Sequence, residues 1–275
     1  QKLGISQSSV LGIYSGVNVG FFATIPDDVA KRLIANIKQF PEVSSITQDQ
    51  TVARAGELTK SKVPHLISMA QSVPWGVAFT GWTNMPNQIY WAWILDTGID
   101  LQHQDLNVLG SAPFAKSFIA GQTVQDGHGH GTHVAGTVAA KNNTFGVVGV
   151  AAGVPLVPVK IMGDDGRGSV SYAIAGVDYV AAVGKPGDVA NLSIGASASS
   201  TFDNAVINAS NRGIWFVTSA GNSAADANNY SPARANGPFL LTVSSMDSSE
   251  RMASSSNFGN PPIDWAAPGV SIRST

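Results

Sequence analysis

Leu156-Val157-Pro158-Val159-Lys160-Ile161-Met162, then Val170 to Val183, then Val189-Ala190-Asn191-Leu192-Ser193-Ile194: this stretch decides the fold. It reads as strand, helix, strand. Val170, Ile174, Val177 and Ala181 recur every three or four residues and draw one helical stripe. The flanking pieces are runs rather than strict alternations, the pattern of strands buried on both faces. The same rhythm extends outward. Upstream, Tyr90 to Leu95 is a continuous apolar run, and Thr132 to Ala140 looks helical, with Val134 and Val138 on one face. Downstream, Phe202 to Asn211 is helical and stops at Gly213, and Ile214 to Thr218 and Phe239 to Val243 are strand-like. Strands alternating with helices predict an α/β fold: a doubly wound, mainly parallel sheet with helices on both faces. In such sheets the site lies beyond the carboxyl ends of the strands.

The amino-terminal part has another character. Val17 to Ile25 reads as a strand, and Pro26 opens a helix with Asp27 and Asp28 in its first turn, where the helix dipole favours negative charge. Val29, Leu33, Ile37 and Phe40 form its apolar stripe, Pro41 stops it, and Val43 to Thr47 reads as a second strand. Residues 53 to 69 carry no sustained period and read as an exposed connection. The expected organisation is a small α+β unit over residues 1–52, a connection over 53–69, and a larger domain over 70–275.

Composition narrows the function. The 275 residues suit one large domain, or one large and one small. Apolar residues make up 44% and charged residues only 12%, about half the usual share, which argues against disorder. A net charge of -2 leaves no basic face for nucleic acid or an anionic membrane. With no cysteine there is no disulfide, thiol nucleophile or Cys-ligated zinc. The longest apolar stretch, Val147 to Val159, is broken by Gly149, Gly153, Pro155 and Pro158 and is too short to span a bilayer. The chain begins at Gln1, so any signal peptide is expected to have been left out.

Two clusters carry candidate chemistry. Asp96 follows the Tyr90 to Leu95 run, where a carboxylate points into the expected site; alone it reads equally as a turn or cap residue. Asp126-Gly127-His128-Gly129-His130-Gly131-Thr132-His133-Val134-Ala135-Gly136 holds three of the five His within six positions. It reads as a flexible Gly/His loop, as a metal site using His130 and His133, or as the base half of a nucleophilic triad. No carboxylate follows at the usual zincin spacing.

Asp96-Thr97-Gly98-Ile99-Asp100, His130-Gly131-Thr132-His133-Val134-Ala135-Gly136 and Ser219-Ala220-Gly221-Asn222 resemble, in order, signature blocks of the subtilisin-like serine proteases, the subtilases. Gln71-Ser72-Val73-Pro74-Trp75-Gly76 is similar to the family's mature amino terminus, and Asn229-Tyr230-Ser231-Pro232-Ala233 to its proteinase K branch. The resemblance implies a secreted serine endopeptidase, a monomer, acting on polypeptides. It implies that residues 1–52 are part of a ferredoxin-like inhibitory propeptide, which also aids folding, and that 53–69 holds the maturation region. The family's Gly-Thr-Ser-Met-Ala block follows a segment similar to Ala267 to Ile272, and no Gly-Thr-Ser occurs in the 275 residues. The expectation is a precursor fragment, cut at both ends and inactive as it stands.

By the same resemblance His130 is the general base, Asp96 fixes its tautomer, and Asn222, otherwise a turn residue, donates to the oxyanion. His133 reads as a buried hydrogen-bonded partner. A peptide lies as an added strand between Gly166-Arg167-Gly168 and Ser193-Ile194-Gly195, although Gly166 and Gly168 also suit a plain turn. The side-chain pocket is walled by Ser193 to Gly195, by Ser219, Ala220 and Gly221, and by Tyr230, Ser231, Pro232 and Ala233. These mostly small, uncharged walls predict tolerance of aromatic and aliphatic side chains. Lys141 to Val147, otherwise an Asn-rich turn, resembles the family's calcium loop. The implied Ca²⁺ ligands are the side chains of Gln71, Asp105 and Asn143 and the carbonyls of Lys141, Phe145 and Val147. A weaker second cation site involves Asp264 with the carbonyls of Pro238 and Leu240.

Overall fold

The computed structural model describes residues 3, 5–56, 70–85, 87–111 and 113–275. Most of the expected connection, 57–69, lies outside the described residues.

The amino-terminal unit contains an antiparallel hairpin, β1 (Val10–Tyr14) and β2 (Gly20–Ala23), followed by α1 (Asp27–Ala35) and a 3-10 turn at Ile37–Gln39. The α1 stripe is realised: Leu33 is buried and Val29, Ile37 and Phe40 are half-buried. Two expectations fail here. The strand expected over Val17 to Ile25 is shorter and is the second arm of a hairpin, because Leu11 and Ile13 belong to an earlier strand. Val43 to Thr47 is not a strand; the Val43 N–H closes a turn onto the Phe40 carbonyl at 2.8 Å. The strand forms later as β3 (Thr51–Arg54), so Ala53 and Arg54 are strand residues rather than exposed connection.

Beyond Ala70 come α2 (Trp75–Thr80), β4 (Thr83–Asn84), β5 (Ala92–Asp96), β6 (Lys116–Ser117), α3 (His130–Ala139), β7 (Ala151–Ala152), β8 (Leu156–Lys160), β9 (Arg167–Ser169) and α4 (Val170–Val183). Next are β10 (Val189–Leu192), β11 (Ile194–Ser197), α5 (Ser200–Ser210), β12 (Trp215–Ser219), β13 (Tyr230–Ser231), β14 (Leu240–Met246) and β15 (Trp265–Pro268). Seven strands form a parallel sheet in the order β15-β14-β12-β10-β5-β8-β6. This is the predicted doubly wound α/β architecture.

Side-chain parity in β5 builds the core. Ala92 and Ile94 point to the face packed by Ala135 and Ala139 of α3, while Trp93 and Leu95 point to the face packed by Ala173 and Val177 of α4. Asp96 shares the parity of Ala92 and Ile94, so its carboxylate falls on the α3 side. The strand order also reverses between β5 and β10: β8 lies on one side of β5, and β10, β12, β14 and β15 continue on the other. A crevice opens at the carboxyl ends of strands at such a switch point.

The run expected over Val189 to Ile194 divides at Ser193. β10 stays in the parallel sheet, whereas β11 joins a separate antiparallel sheet of order β13-β11-β3-β9. That sheet brings β3 into the crevice. Among the described residues no helix is long and apolar enough to cross a membrane.

Candidate active site

Asp96 is fully buried at the end of β5, and His130, 3% exposed, is the first residue of α3. His130 Nδ1 lies 2.7 Å and 2.9 Å from the two Asp96 oxygens, and the Thr97 N–H donates to Oδ1 at 2.7 Å. Gly131 permits this approach, since a Cβ there would lie 2.0 Å from the Gly98 carbonyl oxygen. Burial alone would push the imidazole below its ordinary pKa. The Asp96 charge and hydrogen bond, with the Ala55 carbonyl, outweigh it and hold His130 above that value.

Asp126 holds the start of α3, a role the sequence reading did not assign. It accepts hydrogen bonds from Thr97 Oγ1 (2.9 Å), from the N–H groups of His128 (2.9 Å), Gly129 (2.8 Å) and Thr132 (2.9 Å), and from Thr132 Oγ1 (2.6 Å). Four of these groups lie in the first turn of α3 or just before it, where an anion is favoured. The signal was available: a carboxylate four residues before His130, preceding a Gly-rich turn. Lys160 was also unassigned. It is fully buried in β8, donates to the Thr97 carbonyl, and pairs with Asp164 at 2.7 Å. The Lys160 hydrogen bond holds the Asp164 carboxyl below its ordinary range.

The crevice is filled by the chain's own segment 51–56. β3 runs antiparallel between β9 and β11: Val52 is opposite Gly168, Ala53 is opposite Arg167 and Gly195, and Arg54 is opposite Ile194. The Ala55 N–H donates to the Ser193 carbonyl at 2.7 Å, and the Ala55 carbonyl lies 3.0 Å from His130 Nε2. With its amide oxygen facing the segment, Asn222 accepts from the Gly56 N–H at 2.8 Å. Gly166 sits at φ +74, and a Cβ there would lie 2.8 Å from His128 Nε2 and 2.9 Å from the Arg54 guanidinium. Burial and then the Arg54 charge hold His128 below its ordinary pKa.

The expected pocket walls meet around this segment. Ser219 Oγ donates to the Ile194 carbonyl at 3.3 Å, and Tyr230 and Ser231 pair with Ser197 and Ala196 of β11. Ala220 and Ala233 are buried, and Pro232 follows a cis peptide bond. Gly221 precedes Asn222 and packs on Asn257, whose amide donates to the Ala220 carbonyl at 2.8 Å. His133 does not join His130. Its Nε2 lies 3.3 Å from the Ile272 carbonyl, and burial lowers its pKa. The two imidazoles therefore face different partners, against a shared metal.

A second cluster fits a hard cation. Gln71 Nε2 lies 2.7 Å from the Lys141 carbonyl, 3.3 Å from the Val147 carbonyl and 3.5 Å from Asn143 Oδ1. Three oxygens thus converge on one point, and turning the Gln71 amide adds a fourth. Asn143 Nδ2 donates to Asp105 Oδ1 at 2.6 Å, and the Val147 N–H to Oδ2 at 3.2 Å. Asp105 is fully buried, and that burial raises its pKa, an environment a cation would relieve. Phe145 belongs to the same loop and pairs with Ala70. At the weaker expected site, Asp264 Oδ2 is occupied by the Thr242 N–H at 2.8 Å.

Comparison with known proteins shows the family and the fold. The sequence pattern of the Subtilase family matches residues 93–275. Subtilisin BL of Lederbergia lenta is 42% identical over 216 residues, covering 75% of this chain and 75% of that protein. M-protease of Shouchella clausii is 38% identical over 265 residues, 92% of this chain, which spans 63% of M-protease. A cold-adapted subtilisin-like serine proteinase of known crystal structure superposes with a TM-score of 0.62 at 35% identity, covering 73% of this chain and 74% of that one.

Proposed function

The chain belongs to the subtilase family, and from that premise we propose that it is the greater part of a secreted serine endopeptidase held in a self-inhibited form. The observation that carries the reading is the buried Asp96–His130 pair with a strand of peptide laid across it. His130 Nε2 takes the proton from a serine hydroxyl and returns it to the leaving amine. Asp96 keeps the Nδ1 proton in place and stabilises the imidazolium. Asn222, with its amide turned to donate, stabilises the oxyanion. The nucleophile is the serine of the family's Gly-Thr-Ser block.

Substrates are polypeptides bound as β3 is bound, between Arg167-Gly168 and Ser193-Ile194-Gly195, with the side-chain pocket formed by the Ser219–Gly221 and Tyr230–Ala233 walls. Residues 1–55 act as the intramolecular inhibitor. Ca²⁺, held by Gln71, Asp105, Asn143 and the carbonyls of Lys141, Phe145 and Val147, supplies structural charge and no step of the reaction. The test is a chain carrying a Gly-Thr-Ser block. It should hydrolyse an external peptide and be labelled by a fluorophosphonate, and His130→Ala should abolish both. Hydrolysis without labelling, insensitive to that substitution, would overturn the reading.

A further inference from the structure

We propose that the Ala55–Gly56 peptide bond is the first bond this protein cuts in itself, leaving residues 56–69 on the new amino terminus for removal by a later cut. The proposal rests on the peptidase reading above and names the bond on which it acts.

The connection offers many bonds, and the geometry selects one. From Thr51 to Ala55 the chain is paired with the crevice walls, ending at the Ala55 N–H on Ser193. Val52 is fully buried in the main core cluster, which fixes the register of the strand. The next peptide group is the first to meet the chemistry: its oxygen lies 3.0 Å from His130 Nε2 and its N–H 2.8 Å from Asn222. The C–N bond of this peptide group therefore lies between the base and the oxyanion donor, where a scissile bond belongs.

The boundary suggested by sequence, just before Gln71, lies elsewhere. Ala70 pairs with Phe145, Ser72 with Val147, and Gln71 is seated among the carbonyls of the cation loop. With 51–56 in the crevice and 70–72 fixed at that loop, a bond adjoining Ala70 cannot occupy the crevice in this conformation.

The held peptide is turned away from reaction. Its carbonyl faces His130 and its N–H faces Asn222, whereas hydrolysis needs the carbonyl toward Asn222 and the nitrogen toward His130. Rotating this peptide plane changes ψ of Ala55 and φ of Gly56. Gly56 sits at φ +99 with, among the described residues, open space at a Cβ position, and as a glycine it accepts the changed φ without a side-chain clash. The serine oxygen then bonds to the Ala55 carbonyl carbon as His130 takes its proton. The C–N bond breaks and the Gly56 nitrogen receives that proton. Water hydrolyses the resulting ester, giving an Ala55 carboxylate and restoring the serine.

The experiment follows new termini over time in the precursor carrying its Gly-Thr-Ser block, by intact mass and amino-terminal sequencing. The first products should end at Ala55 and begin Gly56-Glu57-Leu58, at a rate independent of protein concentration. Species beginning near Ala70 should follow. Ala55→Pro removes the N–H given to Ser193 and should slow the first cut by about 10²-fold or more, as misplacement of a reacting group does. Met69→Pro should leave the first cut unchanged and suppress the second, a readout that stands even if Ala55→Pro misfolds. A first new terminus at any other bond would overturn the proposal. Fluorophosphonate labelling and an external peptide separate the two readings. A labelled, active protein that opens first beside Ala70 keeps the peptidase reading and loses this one; a protein that is neither labelled nor active loses both.

Discussion

The amino-terminal unit and the α/β domain are held in place by different means. The α/β domain is sealed by its own core: Trp93, Phe202 and Phe216 are fully buried, and helices cover both sheet faces. The amino-terminal hairpin leaves Leu11 60%, Ile13 73% and Val19 94% exposed. Its position depends on two carboxylates and on a small apolar contact, in which Tyr14 and Val52 join the main core cluster and Val17 and Phe22 pack against it. Asp178 of α4 accepts the N–H groups of Ser15 (3.2 Å), Gly16 (2.9 Å) and Val17 (2.6 Å). Asp49 accepts the Ser171 N–H at 3.0 Å and hydroxyl at 2.5 Å at the start of α4. Tyr14 bonds the Ser171 carbonyl at 3.3 Å, and Phe22 meets Tyr172 edge-on at 5.8 Å. A unit docked through polar anchors and a few apolar side chains leaves while exposing only the part of the core that Tyr14 and Val52 cover. That suits an inhibitor which must be released.

The largest test of this contrast is chemical. In a chain carrying the serine block, His130→Ala should lower kcat by about 10⁶-fold and Asp96→Ala by about 10⁴-fold, with the double variant close to the worse single one. These magnitudes come from a relative within the family. Both variants should keep the amino-terminal unit docked, as read by hydrogen-exchange protection of the Ser15, Gly16 and Val17 amides, because its main anchors lie on α4. Additive losses would show that the pair does not act as one unit.

Calcium sharpens the contrast from the other side. Saturating Ca²⁺ at about 100 times its Kd stabilises by about 2.7 kcal/mol, several degrees of Tm for a domain this size. The effect should appear in the α/β domain and disappear in Asp105→Ala. A calcium-dependent Tm that survives this substitution would remove the loop from consideration.

Asp178→Ala should do the reverse, loosening the inhibitor while sparing the domain. Three N–H groups lose a charged acceptor, and a loss of about 3 kcal/mol corresponds to about 10²-fold weaker inhibition. Stopped-time assays of emerging activity would read this as faster release. An unchanged release rate would mean that β3, rather than the hairpin, carries the docking.

What was legible in the sequence follows the same division. The strands and helices of the α/β domain could be read because continuous apolar runs and 3.6-residue stripes report burial directly, and Asp96 and His130 could be read because motif and strand end coincide. β3 could not. Thr51-Val52-Ala53-Arg54 has one fully buried side chain, and its partners lie more than a hundred residues away, so its strand character is supplied by the crevice. Asp126 was visible as a residue but not as an anchor, because the groups it binds converge only when α3 forms. Lys160 interrupts an apolar run and has meaning only beside Thr97 and Asp164.

The smallest expected effect is a dependence of inhibition on pH, centred on the hydrogen-bond contact between the Ala55 carbonyl of the inhibitor and His130 of the catalytic pair. His130 Nδ1 faces Asp96 and Nε2 faces the Ala55 carbonyl, so both nitrogens face acceptors. Only the imidazolium donates to both. The bound segment acts on His130 in both directions, its burial and the Arg54 charge lowering the pKa and the Ala55 carbonyl raising it; the prediction is that the carbonyl prevails. A group whose pKa rises on binding strengthens the complex below its free value, and that contribution is lost as pH rises through the bound value. Inhibition should weaken with rising pH across the interval between the two values, by about tenfold for each unit separating them. Release rates of the inhibitor, supplied as a separate chain of residues 1–55, measured across that interval should rise accordingly, and should be flat in His130→Gln, whose side chain does not titrate. A release rate that falls with pH in the parent, or rises equally in the variant, would remove His130 as the source of the sensitivity.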